Sequence, residues 1–125
     1  MASGNRSHAE GAGTTASGVS SHAEGNVTVA SRNASHAEGG QTTASGYASH
    51  AEGFKTLARG NYSHAENGYT QATGDNSHAE GNESISSAAS SHAEGSHTQA
   101  DSACQHVQGK YNVVDSSGLY ADIVG

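Results

Sequence analysis

Along this chain small side chains alternate with polar and ionisable ones on a strict 14-residue period. Ser7-His8-Ala9-Glu10-Gly11 returns at Ser21, Ser35, Ser49, Ser63, Ser77 and Ser91 with no insertion or deletion, and only the copy at Ser63 differs, closing on Asn67. A register held over seven units marks an architectural repeat rather than a scattered motif. Each unit divides into two similar halves, S-H-A-E-G-x-x and T-x-A-S-G-x-x. Each half predicts a strand of about five residues and a two-residue turn. Helix fits poorly, because a Gly or Asn returns about every seventh residue at a cost of roughly 1 kcal/mol per Gly. Coils stacked about 4.8 Å apart would pair each strand with its equivalent one repeat away. The expected fold is therefore all-β: a parallel β-solenoid of two thin sheets, with two short strands per 14-residue coil.

Alternation decides which side chains face inward. One parity holds Ser7, Ala9, Thr14 and Ala16; the other holds His8, Glu10, Thr15 and Ser17. The first set repeats as columns of small residues, such as Ala9, Ala23, Ala37, Ala51, Ala65, Ala79 and Ala93. Burying a His and a Glu from every coil inside so narrow a roll would be sterically and electrostatically prohibitive, so the small residues are assigned to the interior. An interior of Ala, Ser and Thr yields little hydrophobic free energy at about 25 cal/mol per Å². Association with other chains is expected to supply the remainder.

The outward faces differ. The Thr15 position is filled by Val29, Thr43, Leu57, Gln71, Ile85 and Gln99, the mixture expected of a face in water. The other face carries His8, His22, His36, His50, His64, His78, His92 and His106 beside Glu10, Glu24, Glu38, Glu52, Glu66, Glu80 and Glu94, ending on Gln108. An identical demand in every coil points to an identical partner for every coil, which a parallel, symmetry-related copy supplies. These 16 positions are the expected interface. The turns vary freely in sequence, as loops do, and Asn67 is the substitute for Gly best able to adopt a left-handed backbone.

Composition and charge agree with this picture. Only 32% of the 125 residues are apolar, with one Phe and no Trp, and the mean hydropathy is −0.66, so an ordinary globular core is excluded. Gly, Ser, Ala and Asn in such abundance would suggest disorder were it not for the strict period. Pro is absent, as suits a backbone whose amides are needed in a ladder. Of twelve acidic residues, seven are the repeat glutamates, and the other five balance the five Lys and Arg, so the net charge of −7 lies in one column. There is no basic patch for nucleic acid and no apolar run long enough to span a membrane. Cys104 is the lone cysteine and leaves the redox compartment open.

The repeat region is expected to cover residues 1–109, seven regular coils and a degenerate eighth at Gln105-His106-Val107-Gln108-Gly109. Residues 110–125 read as a more apolar terminal coil leading to a further region, with Ala121 in the alanine column and Tyr120 where His stood. Both ends fall inside the pattern, as in a piece of a longer protein.

The unit resembles the head repeat of YadA-like trimeric autotransporter adhesins, over residues 2–109. In that family the coil reads N-S-V-A-I-G, and Ser-His-Ala-Glu-Gly overlays it with His for Val and Glu for Ile. The resemblance implies a left-handed parallel β-roll assembled as a parallel homotrimer, with the two outward positions facing the trimer axis. An apolar trimer core has here become a polar one. SHAEG arrays followed by Gln-His-Val-Gln-Gly-Lys-Tyr-Asn, as at 105–112, also resemble phage tail-fibre and prophage structural proteins.

Ser, His and Glu within one pentapeptide invite a hydrolase reading, but neighbouring strand residues point to opposite faces, so Ser7 Oγ cannot meet the His8 ring as in a triad. No enzyme and no cofactor are expected. The Asn-x-Ser/Thr sites at Asn5, Asn26, Asn33, Asn61 and Asn82 read as turn asparagines. The regular Thr column is inward, which argues against an ice-binding array. The expected function is a structural shaft or head segment of a phage tail fibre or cell-surface appendage, held by an interchain His/Glu ladder, in the virion tail or outside the cell. Two alternatives accompany it: an adhesin head for a host surface ligand, marked by Tyr47, Phe54, Tyr62 and Tyr69 gathered on one side, and a trimer whose His column binds Zn²⁺ or Ni²⁺ on the axis. Pairing across the interface would lower the Glu pKa and raise that of His, while stacked like charges oppose full ionisation and make the His shift small or reverse it.

Overall fold

The structure, a computed structural model, describes residues 1–112 and 122–124. These residues form a parallel β-solenoid with a 14-residue coil and no helix. One sheet has nine strands and contains the His–Ala–Glu segments; the other has seven, from Thr15–Ala16 to Gln99–Ala100. Neighbouring strands are one repeat apart and in register, so that His8 faces His22, Ala9 faces Ala23 and Glu10 faces Glu24.

Strand length departs from expectation. His8–Ala12, His22–Asn26 and His36–Gly40 have the expected five residues. From His50–Ala51 onward the strands of this sheet shorten, and pairing beyond them continues through single bridges such as Gly40 with Phe54. Strands of the second sheet have two residues throughout. The reason is visible at Ala58, whose carbonyl accepts from Ser45 N at 2.8 Å and from Gly46 N at 3.3 Å, so the ladder closes directly into the turn.

The inward columns are the ones alternation assigned. From Ala16 to Ala100 the interior alanines are fully buried, and Ser21, Thr28, Ser35 and Thr42 lie beside them. A buried hydroxyl needs a partner, and the repeat serine has one in the carbonyl three residues back: Ser21 Oγ donates to Gly18 O at 2.7 Å and Ser77 Oγ to Gly74 O at 2.6 Å. Ser is therefore both small enough for the roll and locally satisfied.

Turn sequences vary, but turn conformation does not. Two columns of non-glycine residues hold a left-handed backbone, one at 49–60° in φ (Arg6, Ser20, Ala34 and onward) and one at 50–58° (Val27, Gln41, Lys55 and onward). Each such residue costs roughly 1–2 kcal/mol outside glycine. The return is that the rotated amide reaches the previous coil: Ser20 N donates to Asn5 O at 2.8 Å and Val27 N to Ala12 O at 2.7 Å. The stack is thus hydrogen-bonded along its turns as well as its strands. Asn33 and Asn61 sit in these turns and accept from Val19 N and Tyr47 N of the preceding coil.

The terminal coil differs from the expected count. His106 pairs with Asp122, Val107 with Ile123 and Gln108 with Val124, a step of 16 residues (106 to 122). The positions assigned to Tyr120 and Ala121 by a 14-residue step therefore pass to Asp122 and Ile123. A shift of two residues preserves strand parity, whereas a shift of one would invert the faces. The rest of segment 113–121, Tyr120 and Ala121 included, lies outside the described residues.

Candidate functional site

Ser, Ala and Gly of the repeat are consumed by the fold, which leaves His and Glu. They stand two residues apart on one strand and so share a face, and the register of the sheet turns each into a column along the axis. Consecutive imidazoles from His8 to His106 stack 4.6–4.9 Å apart with interplanar angles of 2–11°. The sequence-predicted positions His8 to His106 are thereby brought into one continuous stack, with Glu10 to Glu94 beside it. Gln108 closes the Glu column, lining a shallow groove of about 300 Å³ with Glu80 and Glu94.

The pairing follows the stack. Each later histidine bonds the glutamate of the coil before it: His50 Nε2 meets Glu38 Oε1 at 3.1 Å, His64 meets Glu52 at 3.0 Å, and His78 meets Glu66 at 2.9 Å. His92–Glu80 and His106–Glu94 follow at 3.1 Å. From His50 on, each ladder histidine thus has a glutamate partner within its own chain. From His22 to His106 each imidazole keeps 34–38% of its side chain exposed, because neighbouring rings cover its two faces and leave its edge open.

The first coils are different. His22 Nε2 stands 3.8 Å from Glu10 Oε1 and 3.9 Å from Glu24 Oε2, and His36 Nε2 stands 3.8 Å from Glu24 Oε1. These are ion-pair distances but not hydrogen bonds. Burial lowers the pKa of His36, the His50 charge lowers it further, and Glu38 opposes. At His36 stacking removes solvent and adds like charges, and two carboxylates do not overcome both.

Other features fall elsewhere. The expected gathering of aromatics does not occur. Tyr47 and Tyr62 meet edge-on at 5.5 Å on the turn before the His strand, while Phe54 and Tyr69 meet at 5.7 Å on the turn after it. Lys55 Nζ lies 5.4 Å from both Phe54 and Tyr69 rings. A cleft of about 300 Å³ next to this pair is lined by Lys55, Tyr69, Gln71, Glu83 and Ile85. Glu83 pairs with His97 at 3.1 Å, and the His97 ring lies 4.6 Å from that of Tyr111. Residues 55, 69, 83, 97 and 111 share one phase of the 14-residue period, so the signal was present in positions read only as variable turns. The repeat serines face into the roll, on the side of the strand away from the imidazoles. The chemistry on display is that of imidazole and carboxylate: hydrogen bonding, proton uptake and metal ligation. No protein-family model, characterised protein or solved structure matches the chain.

Proposed function

We propose that the chain is a non-catalytic structural segment, a stiff shaft or head piece of a phage tail fibre or surface appendage. In this reading it is a YadA-like left-handed β-roll that works as a parallel homotrimer meeting through the His/Glu column. One observation carries the reading. A single face repeats the same His–Glu pair in register, while the outward positions of the opposite sheet change from coil to coil. A ligand that binds once does not require an unbroken column; a parallel neighbour of the same length does. The column rises about 34 Å over its seven ring-to-ring steps, at close to the 4.8 Å strand spacing.

The intrachain ladder changes what association must provide. The imidazoles and carboxylates are mostly partnered already, so a neighbouring chain meets ring edges and carboxylate oxygens whose desolvation is partly offset. A wet, polar interface of this kind is compatible with specific assembly. The adhesin alternative has less support, because its aromatics lie as two separate pairs on different turns.

Multi-angle light scattering of the purified, untagged chain tests the proposal. The expected mass is about three times the 12.5 kDa of one chain. A monomer that stays folded by circular dichroism at the same concentration would overturn it.

A further inference from the structure

We propose that the N-terminal end of the ladder is a binding site for a divalent transition metal of the zinc type, within a single chain, with His22, Glu24 and His36 as donors. The evidence is a break in an otherwise uniform pattern. From His50 onward every ladder histidine is hydrogen-bonded to the glutamate one coil earlier at 2.9–3.1 Å. At His22 and His36 the same partners stand off at 3.8 Å, and both Nε2 atoms are shut away from solvent with no hydrogen-bond partner. A buried ring nitrogen needs a partner, and here two without one occur side by side, each directed at carboxylates.

An ion accounts for that spacing. Zinc–nitrogen and zinc–oxygen bonds are each about 2.0–2.2 Å. Two such bonds at a tetrahedral angle hold their donors about 3.3 Å apart, and wider angles hold them further apart. A nitrogen and an oxygen at 3.8–3.9 Å are too distant for a hydrogen bond but need close by only about half an ångström around a metal. His22 is flanked on both sides, by Glu10 Oε1 at 3.8 Å and Glu24 Oε2 at 3.9 Å. The donor atoms of His22, Glu24 and His36 also lie within 4.8 Å of one another. The stacked rings of His22 and His36, 4.7 Å apart, must tilt together for both to ligate. A mixed imidazole–carboxylate set suits zinc or nickel over calcium or magnesium.

Similar triads recur at His50–Glu52–His64, His64–Glu66–His78 and His78–Glu80–His92. There an ion must first displace a formed His–Glu hydrogen bond, and adjacent triads share a histidine, so they exclude one another. The first coils alone offer free nitrogens. An ion there would staple the second and third coils along the axis.

The test is calorimetric titration of the untagged, chelator-stripped chain with zinc sulfate, alongside thermal melting. The proposal expects one tight site per chain and a raised melting temperature. His22→Gln and His36→Gln should each weaken binding tenfold or more, while His78→Gln leaves it unchanged. Circular dichroism of each variant confirms that the coil stack is intact. Cobalt(II) added to the apo chain gives a second readout, a visible absorption band that His36→Gln abolishes. No zinc heat and no melting shift would overturn the proposal. Equal loss in His78→Gln would do the same by showing diffuse binding along the column. One ion per three chains would replace it with a site on the axis of a trimer.

Discussion

Replacing Gly39 by alanine isolates what the last residue of the pentapeptide does. Gly39 has φ near 98°, and a Cβ built there falls 2.2 Å from the carbonyl oxygen of Gly53 in the next coil. Two costs follow. A positive φ for a residue with a Cβ is worth roughly 1–2 kcal/mol, and opening the contact strains a ladder whose spacing neighbouring coils dictate, at about 1–3 kcal/mol. The repeat contains its own control. Asn67 occupies the equivalent position with φ reduced to 74°, against 97–110° for the glycines, and its Oδ1 accepts from Gly81 N at 3.1 Å. Gly39→Ala should therefore cost about 2–5 kcal/mol, and Gly39→Asn about 1 kcal/mol less, since a side-chain hydrogen bond returns about 1 kcal/mol. Gly60 provides the contrast. Its Cβ would lie closer still, 1.9 Å from Gly74 O, but its φ is not in the left-handed region, and Arg32, Ala88 and Ser102 fill the same phase of other coils. Gly60→Ala carries the contact cost alone, about 1–3 kcal/mol, and so less than Gly39→Ala. Urea denaturation followed by circular dichroism at one fixed concentration reads the order through midpoints at unchanged slope. If Gly39→Ala is no worse than Gly60→Ala, left-handed backbone geometry is not what the conserved phase of the pentapeptide supplies, and the reasoning fails.

Acid should destabilise the stack through His36. Its folded pKa is lowered, so its contribution is complete above the unfolded value of about 6.5 and is lost as pH falls through the lower folded value; a melting temperature that is flat or rising from pH 7 to 5 would contradict this. Ala65→Val should cost about 1–3 kcal/mol by overpacking, because Ala65 is fully buried between alanines of adjacent coils; chemical denaturation giving wild-type stability would refute it. Ser63→Ala should cost about 1 kcal/mol in the same assay, since Ser63 Oγ donates to Gly60 O at 2.7 Å within the roll.

Most of the fold was legible because its period is short and unbroken. Parity alone assigned Ala23, Thr28 and Ser21 to the interior and His22 and Glu24 to the surface, and the register did the rest. Four features lay beyond that reading. His50 meets Glu38 one coil earlier in its own chain, which parity could not specify, because it fixes a face and says nothing of rotamers along it. The backbone of Val27 or Ala34 is left-handed despite an unremarkable side chain, because the demand comes from an amide that must reach the previous coil. The terminal pairing of His106 with Asp122 escaped a fixed 14-residue count because a two-residue extension leaves parity intact. Glu83, His97 and Tyr111 were hidden by their place in turns, although they share one phase.

The core imposes a final constraint on function. Among the described buried apolar residues, every one but Val107 is alanine, so hydrophobic burial per residue is near the minimum a fold can have. Stability must come mainly from hydrogen bonds repeated along the axis in strands, turns and serine hydroxyls, each worth only about 1 kcal/mol net. Such a stack gains with every added coil and loses with every frayed one, the behaviour of quasi-one-dimensional proteins. Its weak point is therefore the end of a stack rather than the middle. The His/Glu column addresses this physically. A self-satisfied ladder adds an axial tie at each coil from His50 on, and the first coils, where that tie is open, are where an ion or a neighbouring chain would contribute most. A device of this kind suits a part whose work is to stay straight, since each coil is joined to the next at the strands, at the turns and along one line of side chains.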